Sequence, residues 1–452
     1  MNRHTPDHWV NAVPTQSGEL PTSGSVIVCL VIRTLFPALL LAATSLVRAE
    51  TDWPQWRGPH RDGQVMGRPW PSSLQAPTLT QRWKVDLDPS YSGAIVASNR
   101  VFSTETVDKK SERVRAWDRQ TGKELWRREW EGAMSVPFFA KANGDWIRAT
   151  PACDGELLLV AGMRDVLVAL DVQDGTVRWR KDFVAELKST LPDFGFVSSP
   201  LISGDAVFVQ AGGGVARLDR KSGEIRWRSL ESKDGMLGSA FSSPVLATLA
   251  GRNQLVVQTR AELVGLDPDG GSVLWRQPVE AFRGMNILTP TVLGNRLFAS
   301  AYGGRTLAWD VRAEGPTFSV APAWEFKAQG YMTSPVVVDG FAYLHLRNQR
   351  ALCINLETGK EAWTTSESFG KYWSLVANRK RLLALDQKGD LLLLAANPER
   401  FEVVDRRKVS EEDAWAHLAV TEDGLYIREL RALVAWNWTA SGATTASVDP
   451  GR

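Results

Sequence analysis

The residues best able to do chemistry are few and far apart. Beyond residue 50 the chain carries three histidines, His60, His345 and His417, and two cysteines, Cys153 and Cys353. They lie in separate regions, with no His-x-x-x-His pair and no Cys/His spacing suited to zinc. His345 falls in an alternating, strand-like run, so a structural imidazole is expected there. No Gly-x-Ser-x-Gly nucleophile elbow occurs. Gly212-Gly213-Gly214 could cradle a phosphate, but strand patterns flank it on both sides where a phosphate loop needs a helix start. It reads as a hairpin turn. Asp118, Asp171, Asp219, Asp267 and Asp310 would bind a cation if they converged. Their recurrence instead assigns them to equivalent turns of a repeat, which keeps them apart.

That repeat is the strongest signal in the chain. Five segments share one pattern: Ala116–Trp126, Ala169–Trp179, Arg217–Trp227, Gly265–Trp275 and Cys353–Trp363. In each, an Asp or Asn stands eight residues before the final Trp and a Gly stands four before it (Gly122, Gly175, Gly223, Gly271, Gly359). This is hairpin chemistry. The Asp or Asn closes an Asx-turn on its own backbone, and the Gly takes the positive-φ corner of the turn. The second strand then carries Trp126, Trp179, Trp227, Trp275 or Trp363 outward. One unit cannot bury both faces of its sheet, so each indole is expected to dock on the next unit.

Weaker copies continue the series at Ala308-Trp309-Asp310, leading to Trp324, and at Leu383–Asp386, leading to a Trp-less strand near Phe401–Val404. An additional strand pair precedes each hairpin, which makes four strands per unit, a propeller blade. The last unit, Ala416–Trp438, stops one strand short, while Leu79–Val85 supplies an outer strand with Trp83 and nothing before it. The expected fold is therefore all-β: an eight-bladed β-propeller of four-stranded blades, closed by an N-terminal strand (79–87) joining the last blade. Seven blades is the alternative, if the Trp-less unit is degenerate.

Composition agrees with a large folded core. Hydrophobic residues make up 44% of 452, and 53 basic side chains nearly cancel 51 acidic ones. Disorder and polyanion binding are disfavoured, so no nucleic-acid partner is expected. An apolar run from Val26 to Val47, broken by Arg33 and Pro37, ends in Val47-Arg48-Ala49, a pattern of the kind signal peptidase cuts after; a retained membrane anchor, for which the run is long enough, is the alternative. The expected organisation is a polar leader with signal peptide over 1–49, an arm over 50–78, the propeller over 79–440 and a tail over 441–452. The mature chain is then exported, periplasmic or secreted, with no membrane span and no disulfide staple between Cys153 and Cys353.

The Asp/Asn-x-x-x-Gly-x-x-x-Trp units resemble the tryptophan-docking repeats of the pyrroloquinoline quinone (PQQ) propeller superfamily, across residues 79–440. That superfamily holds calcium- and PQQ-dependent dehydrogenases, and also the cofactor-free outer-membrane assembly propeller BamB, which is similar in size and blade count. The opening Trp53-Pro-Gln-Trp-Arg-Gly-Pro-His-Arg-Asp-Gly63 resembles the start of many exported bacterial PQQ-repeat proteins. It is read as a clamp for the arm across a propeller face, with a recognition epitope as the alternative. PQQ alcohol dehydrogenases typically carry an adjacent Cys pair, and quinohaemoprotein members a Cys-x-x-Cys-His site. Neither is present. The expectation is no cofactor and no catalytic residues. A PQQ/Ca-dependent sugar or alcohol dehydrogenase and a lectin-like or small-ligand module are the alternatives.

If the ring closes, the residues just before each inner strand form one mouth of its channel. These segments contribute Tyr91, Trp146, Arg148, Phe196, Met236, Met285, Asn286, Tyr331, Lys371, Trp373, Trp415 and His417. Projecting outward, they would make an aromatic ring studded with cations, of the kind that anchors a protein or peptide partner. Packed between blades, they would be structural. The expected role is a monomeric scaffold in the cell envelope.

Overall fold

The computed structural model describes residues 52–232 and 240–439. The leader with its cleavage pattern near Ala49, the mouth segment around Met236 and the tail over 441–452 lie outside them. Eight four-stranded antiparallel sheets make up the fold, and the eight-blade count holds. From inner to outer strand, blade 1 runs from Ile95–Ala97 to Glu124–Glu131, blade 2 from Ala152–Cys153 to Val177–Asp182, and blade 3 from Leu201–Ser203 to Ile225–Ser229. Blade 4 runs from Val245–Leu249 to Val273–Pro278, blade 5 from Thr291–Leu293 to Thr317–Phe326, blade 6 from Val336–Val338 to Glu361–Thr364, and blade 7 from Trp373–Asn378 to Val403–Lys408. Blade 8 is composite: Ala419–Thr421, Gly424–Arg428 and Ala432–Trp438 are followed at the rim by Leu79–Asp86, paired antiparallel with Ala432–Trp438. Among the described residues no helix is long and apolar enough to cross a membrane.

The repeated turn is built as its residues dictate. Asp118 Oδ1 accepts from the backbone N–H groups of Gln120 and Thr121, and Asp219 and Asn355 make the equivalent pairs. The Gly four residues on has φ between +69° and +73° in all five copies. That glycine also leaves room for the previous blade. A Cβ on Gly175 would lie 2.6 Å from the Trp126 ring, and one on Gly223 would lie 2.7 Å from Trp179. Each indole N–H reaches a carbonyl of the next blade: Trp126 to Val172 (3.0 Å), Trp179 to Arg220 (2.9 Å), Trp227 to Pro268 (3.1 Å) and Trp363 to Asn397 (2.8 Å). Trp83 and Trp324 do the same with Arg119 (3.0 Å) and Leu356 (2.8 Å).

Two joints depart from this pattern. Trp275 shares a buried cluster with Leu297 and Trp309 of blade 5, as docking requires, but its N–H donates to Gln254 Oε1 of its own blade at 2.6 Å and its ring lies over Gly265. The reason lies in the next blade. Blade 5 replaces the short Gly turn with a long hairpin, Thr306–Glu314 and Thr317–Phe326, and offers no glycine platform. In blade 7, Asp405 occupies the register of the missing Trp, just before the bulge. Its carboxylate accepts from Leu74 N (2.6 Å), Ser73 Oγ (3.0 Å) and Gln75 Nε2 (3.0 Å), and so ties down the arm.

A second set of joints circles the channel. A Ser or Thr hydroxyl at the start of one blade accepts the backbone N–H of its neighbour: Gly93 to Thr150 (3.1 Å), Thr150 to Ser199 (3.0 Å), Ser199 to Ser243 (2.9 Å), Ser243 to Thr289 (3.1 Å) and Thr289 to Ser334 (3.0 Å). Trp373 N–H to Thr333 (3.2 Å) and Leu418 N–H to Ser374 (2.8 Å) continue the belt. These buried amides have no ladder partner, and the hydroxyls satisfy them.

Candidate binding site at the channel mouth

The arm determines what the channel can do. It does not lie across a propeller face; it enters the channel and fills it. Trp53 exchanges two backbone hydrogen bonds with Val96 of blade 1, both 2.9 Å, and Pro54 O accepts from Cys153 N of blade 2 (2.8 Å). Farther along, Gly63 O and Val65 N bond to Ala377 of blade 7, each 2.8 Å, and Gln64 Nε2 donates to Val337 O of blade 6 (2.8 Å).

Between these anchors, Arg57 and Arg61 are each only 2% exposed. Arg61 donates to Pro244 O (2.8 Å), Ser199 O (2.9 Å) and Pro200 O (3.0 Å), while Arg57 donates to Pro335 O and to Asp62 O. Their acceptors sit at the mouth-side ends of the inner strands. The guanidinium groups therefore point from the plug toward the mouth. Trp56 is half-buried, with Arg57 and Arg61 at 5.6 and 6.0 Å from its ring. Burial draws Arg57 down to about 10 and Arg61 to about 9, so both stay charged at neutral pH. Neither forms an ion pair with a carboxylate among the described residues, and the Nε–H of each lacks a hydrogen-bond partner.

The mouth residues divide into two classes. Tyr91, Trp146, Arg148, Met285, Tyr331 and Trp415 are half-buried and reach the surface. Phe196, Asn286, Trp373 and His417 are buried, so the two alternatives, exposed ring and packing between blades, each hold for part of the set. The cause is local. Trp373 is drawn under by Asp386, which accepts its indole N–H at 2.9 Å, and by Phe369 at 4.4 Å. Asn286 Nδ2 is spent on the carbonyls of Arg260 and Val279. Phe196 packs on Phe183, and His417 stacks on Trp53 at 6.2 Å with Trp56 at 5.8 Å. Burial pushes the His417 imidazole down to about 3, so it is neutral.

The exposed members gather with partners that sequence reasoning missed. Tyr91 and Tyr372 both pack on Trp415 (6.0 and 6.2 Å), and the Arg148 guanidinium lies 5.9 Å from the Tyr91 ring. Tyr331 meets Tyr302 at 5.0 Å, which Arg347 covers at 4.5 Å. Phe138 and Phe139, 85% and 58% exposed, lead through Phe194 to Phe241, where Arg260 stacks at 5.3 Å. Phe138 and Phe139 lie in an inter-blade loop outside the repeat, so no periodicity marked them.

The remaining chemistry-capable groups are structural in position. Gly212–Gly213 form a turn between strands, with Gly212 N–H donating to buried Asp165 (2.8 Å). Cys153 and Cys353 are buried free thiols, both pushed up to about 12 by burial. His345 stacks on Trp373 at 5.3 Å, and burial lowers it to about 4.

Comparison with known proteins agrees with this architecture. The chain is 22% identical to outer membrane protein assembly factor BamB of Yersinia pestis over 263 residues, 56% of this chain and 62% of that one. The alignment thus spans about three-fifths of that relative's length. The BamB crystal structure from Moraxella catarrhalis superposes with a TM-score of 0.61 at 18% identity, over 79% of this chain and 99% of that one. Quinohemoprotein alcohol dehydrogenase from Comamonas testosteroni superposes with 0.60 at 12% identity, over 88% and 82%. At such identities the superpositions show a shared fold and nothing finer. The family model described as outer membrane protein assembly factor BamB matches residues 110–365, more than half of the chain, and the protein therefore belongs to that family of PQQ-repeat propellers.

Proposed function

We propose that this protein is an exported, non-catalytic scaffold that holds a protein or peptide partner in the cell envelope, in the assembly of outer-membrane proteins. The observation that carries this reading is a channel occupied by its own arm, with aromatic–arginine pairs around its mouth. Half-exposed Tyr, Trp and Met beside Arg are the side chains that anchor protein interfaces. Membership in the BamB family supports the envelope setting. Replacing Tyr91, Tyr331 and Trp415 together with Ala should abolish co-purification of the partner from envelope extracts and leave the melting temperature unchanged. Undiminished capture would remove the mouth as the binding surface.

A cofactor-free channel is part of this proposal. A PQQ site built around calcium needs anionic or neutral oxygen ligands that a dication can share. Here the channel holds two guanidiniums without ion-paired carboxylates, and their N–H groups already bond to inner-strand carbonyls. These residues do not fit that group. Titration with PQQ and Ca²⁺ should leave the quinone spectrum unshifted; a red-shifted chromophore with dye reduction would restore the dehydrogenase reading.

A further inference from the structure

Each blade ends in an outer strand with one unpaired edge, and one of the eight outer strands differs from the rest. In blade 5 that strand, Thr317–Phe326, is ten residues long, where the other seven have four to eight. A bare edge is a template for another chain, and charged side chains are the usual protection. Each of the other seven strands carries a charged residue, and six of them carry an Arg or Lys. Thr317–Trp324 carries none.

The hairpin also stands clear of its blade. Thr306–Glu314 starts beside Tyr302 at the mouth, so the tip at Gly315-Pro316 lies on the opposite face. Residues 312–317 are exposed, and a Cβ on Gly315 would meet nothing within 4 Å. Pro322 shows which backbone groups face outward. It has no N–H and stands opposite Trp309, so its nitrogen faces the edge. With a period of two, Val320 and Phe318 turn their N–H and C=O groups the same way. No backbone group outside the hairpin bonds to them among the described residues. Their half-buried side chains pack with Leu274 of blade 4, which leaves an apolar cluster partly covered beside the edge.

We propose that this edge takes an extended, uncharged segment of a partner protein as an added strand, paired along residues 317–321. Backbone pairing attaches the segment, and apolar side chains at its alternate positions extend the cluster of Leu274, Phe318 and Val320. Pro316 and Pro322 bound the usable edge, which is far smaller than a stable dimer of this chain needs and suits reversible capture of one segment. The site lies on the face away from the mouth and does not depend on it.

The test uses the intact protein and a fluorescent peptide in which Val and Thr alternate between terminal lysines. Residues of the added strand that pair with Phe318 and Val320 carry their side chains on the apolar side, so the valines occupy those places. Fluorescence anisotropy should show binding that N-methylation of the valines weakens about tenfold and N-methylation of the threonines leaves in place. Val320→Pro removes an edge N–H and should weaken binding about tenfold, whereas Val320→Ala keeps that N–H and should bind as the wild type does. The two variants should melt together. Absence of peptide binding would overturn the inference, and so would equal binding of the two methylated peptides or by the two variants. A dimer in sedimentation velocity that Val320→Pro dissociates would assign the edge to a second copy and overturn it as well. Partner capture by the triple mouth variant is read separately and bears on the mouth alone.

Discussion

At the rim, Trp126 of blade 1 lies over Gly175 of blade 2 and donates to Val172, 46 residues away. At the axis, Arg61 of the arm donates to Ser199 and Pro244, 138 and 183 residues away. The rim uses one local unit repeatedly: a turn whose glycine both bends its own hairpin and receives the indole of the preceding blade. The axis uses a single segment, present once, that satisfies carbonyls of several blades together. Contacts of the first kind tolerate a missing copy, as Trp275 and Asp405 show. Those of the second kind have no spare.

Substitutions at the two places can break or sharpen this contrast. The largest effect is expected at the rim for one complete joint. Trp126→Ala removes a buried indole and its hydrogen bond, which should cost about 3–5 kcal/mol in urea unfolding. Trp275→Ala should cost a similar amount, with hydrogen-exchange protection lost more in blade 4, which holds its hydrogen bond, than in blade 5, whose Leu297 and Trp309 share only its apolar cluster. Protection lost equally in both blades would mean that the apolar contact counts for as much as the hydrogen bond. At the axis, Arg61→Met leaves three buried carbonyls without a donor while relieving an enclosed charge, for a net loss of roughly 2–3 kcal/mol. A neutral result would show that the arm occupies the channel without bracing it. In the hydroxyl belt, Ser199→Ala strands the Thr150 amide and should cost about 1–2 kcal/mol, read from the thermal midpoint.

The smallest effect concerns pH. Glu112 of blade 1 accepts from Met163 N of blade 2 (2.6 Å) and Trp130 Nε1 (3.0 Å), yet burial pushes its carboxyl up from 4.5 to about 7. Between those values the folded protein holds a proton that the unfolded chain has released. Its contribution to stability therefore declines as pH rises through this window and is absent above it. Glu112→Gln should flatten that slope, so the variant gains on the wild type between pH 5 and pH 8 in paired melting curves. A constant difference across that range would place the charge elsewhere.

Much of the rim was legible beforehand because its causes are short-ranged. Asp118 and Gly122 stand four residues apart and build one turn by themselves, so recurrence of the pair revealed the blades. The belt left a readable trace that went unused: Thr150-Pro151, Ser199-Pro200, Ser243-Pro244, Thr289-Pro290 and Ser334-Pro335 each precede an inner strand. Exposure at the mouth left no such trace. Trp373 opens the inner strand of blade 7 and Trp415 lies in the loop before that of blade 8, and neighbours contributed by other loops decide that one is buried and the other half-buried.

The sequence alone determined the hairpins, the four-stranded blade and the outward course of most indoles, since each depends on residues within a few positions of one another. Only the tertiary structure decided that Arg57 and Arg61 enter the channel, that the Trp275 indole N–H bonds within its own blade and that Trp373 is buried. Those outcomes depend on which carbonyls, glycines and rings from distant segments face each group, and short-range spacing carries no information about such company.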